Sequence, residues 1–174
     1  MPARQTREVV EEGPHPAVDD IRDLVTFRIA MLAATSDRVG QAWMKARFGL
    51  SILLWRVLGI VAALEPVRFG EVGHALNLDK GQLSRLVKSL IERGLIEATA
   101  SEADQRVTIL RLTAHGRTVH GEVLEIAKAR NNAVLSALDG AEVETLLRLL
   151  DKLQPFLELR ADAEERNTGA GERP

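Results

Sequence analysis

The sequence of 174 residues contains no cysteine and no tyrosine, and aromatic side chains make up only 3% of it. The absence of cysteine excludes disulfide bonds, thiolate zinc sites and a cysteine-based redox switch. No apolar run reaches the length of a membrane span, because Arg56 interrupts the longest one, over residues 52–64. Residues 1–16 also lack the apolar core of a signal peptide. We therefore expect a soluble cytoplasmic protein with no membrane partner.

Strong net charge and catalytic motifs are absent as well. The net charge is −2, and residues 65–113 carry seven basic and seven acidic side chains, so charge alone does not indicate nucleic-acid binding. The sequence has no glycine-rich phosphate loop, no G-x-S-x-G motif, no pair of carboxylates in a recognisable frame and no HExxH or comparable metal spacing. We predict that the protein is not an enzyme, with no catalytic residue, no metal site and no cofactor.

Alanine and leucine dominate the sequence, and most of the chain follows helical spacing. A polar arm over residues 1–18 precedes a first helix, which is predicted from residue 21 to about residue 47 and is ended by Gly49. Ser51 can cap a second helix that runs to about Leu64, where the following Glu-Pro pair disfavours helix. The segment over residues 19–49 therefore forms an N-terminal helical region.

The centre of the chain, over residues 50–112, predicts a helix-turn-helix followed by a β-hairpin. A short helix over 69–76 leads to a helix over 79–93, where Asp79 is an N-cap, Gln82 holds the capping-box position and Gly94 is the stop. This helix carries a buried stripe at i, i+3, i+4, i+7 and i+8, formed by Leu83, Leu86, Val87, Leu90 and Ile91. Two β-rich runs joined by the polar loop SEADQR follow, at residues 95–100 and 107–112.

Two further helices complete the chain. Thr113 begins a helix to about Leu138, and the capping box Asp139–Glu142 begins the last one, which is predicted to end near Leu159. Residues 113–160 are thus a C-terminal helical region, and residues 161–174 are predicted to be a flexible tail. The fold class is mainly α with a small β-hairpin.

A DNA-binding version of this arrangement places the helix over 79–93 in the major groove, with its polar side chains at base edges and phosphates. Arg85 is suited to guanine, Gln82 to adenine and Ser84 to either a base or a phosphate. Asp104 and Arg106 lie at the hairpin tip, where the aspartate could hold the arginine side chain in a fixed pose. The predicted DNA-binding residues are Lys80, Gln82, Ser84, Arg85, Lys88, Asp104 and Arg106. The alternative is a solvated helix face in a helical protein-interaction module that does not bind DNA.

Three motifs in this region resemble the winged helix-turn-helix of the MarR family of bacterial transcription regulators. They are the run Leu90–Ile96 (LIERGLI), the D-x-R step Asp104–Arg106, and the run Leu110–Gly116 (LRLTAHG). The segment Trp55–Leu58 also resembles the second-helix segment of the family, and the resemblance extends over about residues 20–160. The wing departs from many relatives, because Arg106 is its lone basic residue and Glu102 lies nearby.

The resemblance implies a homodimer, in which the terminal helices form a helical dimerisation base and two winged helices read a pseudo-palindromic double-stranded operator. The alternative for the terminal helices is a monomeric bundle. The resemblance further implies a repressor that a small molecule releases, often an aromatic carboxylate, a phenol or a coenzyme A thioester. Candidate ligand contacts on the helices near the implied site are Arg28, Arg38, Trp43, Arg56 and His120. For each of them a packing or surface role is the alternative.

Overall fold

The computed structural model describes residues 18–169, and eight of its elements carry the fold. They are α1 (Val25–Phe48), α2 (Ile52–Leu64), β1 (Val67–Arg68), α3 (Phe69–Leu76), α4 (Lys80–Glu92), β2 (Ile96–Ala100), β3 (Thr108–Leu112) and α5 (Ala114–Leu135), followed by a ninth, α6 (Gly140–Gly169). The chain divides into two compact units, one up to His120 and one from Gly121. The predicted arm over residues 1–18, which contains His15, lies outside the described residues except for Val18.

Local capping sets the ends of the first two helices. A short 3₁₀ turn, Ile21–Asp23, precedes α1 and is capped by Asp20. Gly49 ends α1 with φ of +64°, a left-handed conformation that glycine adopts without steric cost. Ser51 Oγ then accepts the backbone N–H of Leu54 at 3.1 Å and begins α2, as the sequence predicts. The first helix is therefore shorter at its start than the predicted one, because the 3₁₀ turn takes its first residues.

The helix-turn-helix consists of α3 and α4, and its caps also follow the prediction. Asp79 Oδ1 accepts the backbone N–H of Gln82 at 2.8 Å at the start of α4. Gly94 ends the helix with φ of +66°. Leu83, Val87 and Leu90 of α4 are buried, whereas Ile91 of the predicted stripe is 41% exposed. The rotation of α4 is thus fixed by three buried side chains.

A three-stranded antiparallel sheet in the order β1–β3–β2 replaces the predicted two-stranded hairpin. β2 and β3 pair as predicted, with Ala98 opposite Leu110, and β1 adds Val67, also opposite Leu110. Because β1 has only two residues, it carries no alternating pattern that could reveal a strand in the sequence. The core under this sheet consists of fully buried aliphatic side chains from α2, α3, α4 and the strands, among them Leu58, Val61, Val72, Leu90 and Leu110.

The junction between the sheet and α5 is held by Thr113, Gly116 and Glu65. Thr113 Oγ1 accepts the Gly116 N–H at 2.9 Å and donates to the Gly94 carbonyl at 2.6 Å. A Cβ on Gly116 would lie 1.8 Å from the carbonyl oxygen of Leu95, so this position has room only for glycine. Glu65 Oε2 accepts the Leu112 N–H at 2.8 Å, and its carboxylate forms an ion pair with Arg117.

The second unit contains the end of α5 and the helix α6. Asp139 and Glu142 form the predicted reciprocal capping box, with both hydrogen bonds at 2.9 Å. The helix continues to Gly169, ten residues past the predicted end at Leu159, because residues 160–167 are rich in alanine, glutamate and arginine, which favour helix. The predicted tail over 161–174 is therefore helical as far as Gly169, and residues 170–174 lie outside the described residues.

Between residues 18 and 169, no single helix has both the length and the apolar character that crossing a membrane requires. The pair α1 and α2 reaches that length and composition only when taken together, and it is bent by 79°.

Candidate nucleic-acid interface

The polar face of α4 is the first part of the candidate interface. With Leu83, Val87 and Leu90 in the core, the opposite side of the helix faces outward. The predicted DNA-binding residues on it are exposed, apart from Gln82, which is half-buried; the exposed ones are Lys80, Ser84, Arg85 and Lys88. The structure therefore brings the five predicted residues of this helix onto one surface.

The wing is the second part. Residues 102–106 are exposed, and the turn is closed by hydrogen bonds from the backbone N–H of Val107 to the Asp104 carbonyl at 2.9 Å and from Ser101 to the Val107 carbonyl at 2.8 Å. Asp104 Oδ1 accepts the backbone N–H of Arg106 at 2.9 Å. The expected grip of Asp104 on the Arg106 guanidinium is thus replaced by a bond to its backbone. The aspartate shapes the turn, and the guanidinium extends from it without an acidic partner among residues 18–169.

The acidic side chains of the winged helix are mostly engaged by the fold. Asp79 caps α4, Glu71 accepts the Arg68 N–H at 2.8 Å at the start of α3, and Asp104 closes the wing turn. Carboxylates at helix starts are held by backbone N–H groups and by the positive end of the helix dipole. Glu65 is engaged by Arg117.

The basic side chains of the same region are mostly left open. Lys88 Nζ lies 3.9 Å from Glu92, a weak exposed pair. In the described part of the chain, the other cations of the two surfaces and of β1 form no ion pair: Arg68, Lys80, Arg85 and Arg106. A region with no net charge therefore presents uncompensated positive groups on the face formed by α4 and the wing, which is the charge distribution that a phosphate backbone attracts.

A cavity of about 770 Å³ lies beside the start of α4 and is lined by α3, α4, β1 and the base of the wing. Arg68 and His74 line it together with Lys80 and Arg106. Sequence reasoning did not select Arg68 or His74, because Arg68 belongs to the unpredicted strand β1. The pairing of Arg68 with Ile109 of β3 sets it beside the wing.

The predicted ligand contacts on α1 have separate surroundings. Arg28 Nε donates to the Arg22 carbonyl at 2.6 Å, and its guanidinium lies 3.7 Å from Asp23. Arg38 is exposed. Trp43 is half-buried and packs edge-on against Phe48, with 6.1 Å between the ring centroids.

The predicted ligand contacts near α2 lie closer together. Arg56 Nη2 is 2.5 Å from Asp37 Oδ1, which joins α2 to α1. The half-buried His120 sits close to α2, because a Cβ on Gly59 would lie 4.0 Å from its Nε2. Burial lowers the pKa of His120, and the negative charge of Glu65 opposes this effect. Trp55 was not among the predicted contacts, yet its indole N–H is buried and meets no acceptor in residues 18–169.

Arg117 holds the pKa of Glu65 below its usual value, mainly through the side-chain hydrogen bond. Burial opposes this shift, and the Leu112 N–H adds to it. The carboxylate is therefore ionised and ties the end of α2 to β3 and to the first turns of α5. This contact fixes the position of the sheet, and hence of the wing, relative to α2.

Comparison with known proteins gives the same assignment for the central region. The profile of the MarR family matches residues 48–107. The chain is 33% identical over 107 residues to the HTH-type transcriptional regulator MgrA of Staphylococcus aureus, a match that covers 62% of this chain and 71% of MgrA. It is 34% identical over 83 residues to the HTH-type transcriptional regulator BilQ of Clostridium symbiosum, covering 48% of this chain and 58% of BilQ.

Solved structures extend the similarity to the fold. A MarR/EmrR family transcriptional regulator from Acinetobacter sp. ADP1 superposes with a TM-score of 0.74 at 26% identity, over 80% of this chain and 99% of that one. FabT of Streptococcus pneumoniae, solved in complex with DNA, gives 0.66 at 23% identity over 77% and 95%. PcaV of Streptomyces coelicolor, solved with its natural ligand, gives 0.67 at 20% identity over 80% and 98%.

The relatives are regulators of transcription rather than enzymes, in agreement with the lack of catalytic motifs in the sequence. The winged helix, its match over residues 48–107 and the similarity to MgrA lead to one assignment. The chain belongs to the MarR family of transcriptional regulators.

Proposed function

We propose that this protein binds a specific double-stranded operator as a homodimer and controls transcription by doing so. The observation that carries the proposal is the set of uncompensated cations on α4 and the wing, in a region whose carboxylates are engaged by helix starts and turns. In this role α4 lies in the major groove and the wing follows the neighbouring groove. FabT, which has the same fold, is solved with DNA, and this supports a similar use of the surface here.

The side chains of α4 divide into those that read bases and those that hold phosphates. Arg85 can bond to guanine through both its terminal nitrogens, and Gln82 and Ser84 are placed on the same face to bond other base edges. Lys80 and Lys88 are suited to phosphates, because a lysine ammonium is a compact charge without the planar fork of arginine. Arg106 contributes a further cation from the wing.

A dimer is supported by apolar side chains that the single chain leaves in contact with solvent. In α6, one stripe at helical spacing is exposed and consists of Leu146, Leu150, Leu153 and Leu157. Ile21, Val25 and Leu32 are similarly exposed near the N-terminus. A second copy is the occupant that we propose for these surfaces, which would make the N-terminal and C-terminal helical regions a dimerisation base. A twofold dimer reads a pseudo-palindrome with half-sites about one helical turn apart.

Release by a small molecule is the second part of the proposal. PcaV, a structural neighbour, is solved with its natural ligand, which supports a ligand-responsive repressor here. The group around α2 is the site that we propose for an aromatic or anionic effector, with Arg56, Trp43 and His120 as contacts and the buried Trp55 N–H as a donor that an effector could satisfy. Arg28 and Arg38 remain candidate contacts from α1.

Footprinting on the DNA upstream of the protein's own coding region tests the proposal. The expected result is a protected site with two related half-sites, whose centres are about one helical turn apart. The variant Arg85→Ala should lose protection at the same protein concentration, whereas Lys128→Ala, which removes a cation paired with Glu125 on α5, should retain it. Absence of protection there and in DNA selected from a random pool would favour a protein-interaction module instead.

A further inference from the structure

The cavity beside the start of α4 has a composition that phosphate binding alone does not explain. We call it the basic notch and define it by the cations Arg68, Lys80 and Arg106 and the apolar side chains Phe69, Leu78 and Val107. Its volume of about 770 Å³ lies in the range of small-molecule pockets, about 300–1,000 Å³. A DNA strand passing over the surface would meet the cations but would leave the apolar floor unused.

The charge of the basic notch favours an anion. Arg68, Lys80 and Arg106 are exposed, and none of them has an acidic partner in the described range 18–169. Glu71 is the one carboxylate of the lining, and it accepts the Arg68 backbone N–H at 2.8 Å. Three positive groups against one negative group leave a formal charge of +2 with His74 neutral, so a carboxylate or sulfonate entering the notch gains charge-assisted hydrogen bonds.

The floor of the basic notch favours an apolar body on the same ligand. Leu83, beneath it, is fully buried, and Phe69, Leu78 and Val107 are half-buried. A flat ring placed against these side chains removes apolar surface from water, which is favourable in proportion to the area covered. An inorganic anion gains nothing from this part of the notch.

We propose that the basic notch binds a small amphipathic organic anion, with an aromatic or aliphatic body on the floor and its charge between Arg68, Lys80 and Arg106. Because Lys80 and Arg106 also belong to the DNA-binding surface, such a ligand competes directly with DNA. This competition rests on the proposed function, whereas binding to the notch does not. The site is distinct from the group around α2 and lies entirely on the winged helix.

Gly70 offers a way to close the notch without removing a cation. It lines the cavity, it lies within α3, and a Cβ built on it meets no atom within 4 Å. The variant Gly70→Leu therefore places a side chain in the open space. Replacing glycine inside a helix should also stabilise it by roughly 0.5–1 kcal/mol, so the variant is expected to fold. Gly140→Leu is the matched control, because Gly140 lies in the first turn of α6 and its Cβ also meets open space.

The test is calorimetric titration of the full chain with 2-naphthoate, and with the neutral 2-naphthamide as the chemical control. Naphthoate should bind the wild type and Gly140→Leu equally. It should bind Gly70→Leu and Arg68→Gln about tenfold or more weakly, since each loses packing or a charged hydrogen bond. Naphthamide should be weaker than naphthoate by a similar factor. Equal binding of naphthoate and naphthamide, or unchanged binding by Gly70→Leu, would overturn the proposal.

Two further arms separate the occupants and the two hypotheses. If inorganic phosphate displaces naphthoate at equal concentration, the notch is a phosphate saddle and the proposal is wrong. If naphthoate binds as expected but does not weaken binding of the footprinted DNA, the competition is wrong. A chain that binds naphthoate through the notch but binds no DNA would contradict the proposed function and leave the notch assignment standing.

Discussion

At the scale of single residues, exposed cations differ in whether the fold gives them a partner. Lys88 is 3.9 Å from Glu92 in the same helix, whereas Arg85, on the same face, has no acidic partner in residues 18–169. An arginine without a protein partner keeps its planar set of donors available for a base edge. Arg85 is therefore the side chain on which specificity should depend most.

The substitution Arg85→Ala should weaken operator binding by about 1–3 kcal/mol, or about 5- to 150-fold in Kd, because it removes a bidentate contact to guanine. It should also relax the preference at one base pair of each half-site. Competition binding with single-base operator variants measures both effects. A uniform loss over all variants would assign Arg85 to a phosphate rather than a base.

The substitution Lys80→Ala should act differently, because a phosphate contact carries no sequence information. We expect weaker binding to every operator variant and a salt dependence whose log–log slope is reduced in magnitude by about 1 for each lysine removed from the DNA. The measurement is a titration of labelled operator at several salt concentrations. An unchanged slope with altered base preference would contradict this role.

The pH dependence of stability should report the Glu65–Arg117 pair. Because the pKa of Glu65 is lowered in the fold, the ionised carboxylate stabilises the protein above its ordinary pKa of 4.5, and this contribution is lost as the pH falls through the folded value. Glu65→Gln should cost about 1 kcal/mol near pH 7, since Arg117 is partly exposed. In urea unfolding, the difference from wild type should shrink below pH 4.5, while the exposed Glu97→Gln shows little effect at either pH. A difference independent of pH would refute the assignment.

At the scale of elements, the junction of the wing with α5 depends on one close approach. Gly116 has no room for a Cβ, which would lie 1.8 Å from the Leu95 carbonyl oxygen. The clash is with backbone, so a side chain cannot relieve it by rotation. The L-x-L-T-x-x-G motif of the sequence is thus explained by a threonine that caps α5 and a glycine that lets the helix start reach the end of the preceding turn.

Gly116→Ala should therefore destabilise the fold by about 2 kcal/mol or more, as overpacking against backbone does. Gly121→Ala is the matched control in the same helix, because its Cβ meets open space. It should instead stabilise the protein by roughly 0.5–1 kcal/mol. Thermal unfolding of the two variants beside the wild type checks the prediction. Equal melting temperatures for both variants would show that the Gly116 site can relax.

The elements that the sequence predicts well are those whose signals are local. Asp79, Ser51 and Gly49 mark helix ends by side-chain chemistry or backbone freedom, and all three act as predicted. β1 could not be predicted, because two residues carry no periodicity and its pairing with β3 joins positions over 40 residues apart. The basic notch was missed for the same reason, since Arg68 reaches the wing only through that pairing. The end of α6 was placed too early because no stop signal follows Leu159, and helix propensity alone extends it.

At the scale of the whole molecule, the exposed stripe of α6 leads to an assembly. Leu153 is 43% exposed in the single chain and is one of four stripe leucines at helical spacing. Burying such a stripe against a second copy is favourable by about 25 cal/mol per Å² of apolar area. A dimer also doubles the number of phosphate contacts, so dimerisation and DNA affinity should change together.

Leu153→Glu should shift the protein from dimer to monomer and weaken operator binding, because a buried charge without a partner is costly. Arg148→Gln makes the same change in net charge on the exposed surface of α6 outside the stripe, and it should leave the dimer intact. Sedimentation equilibrium of both variants, followed by operator titration, checks the prediction. A monomeric wild type, or a dimeric Leu153→Glu variant, would contradict the proposed dimerisation base.

The central claim is that the partnerless cations of α4 and the wing bind the DNA backbone. Fluorescence anisotropy of the labelled upstream operator across a salt series measures this most directly. With about three phosphate contacts for each subunit of a dimer, the plot of log Kd against log salt concentration should rise with a slope of about 5. A Kd that does not change with salt, or no binding at low salt, would contradict the claim.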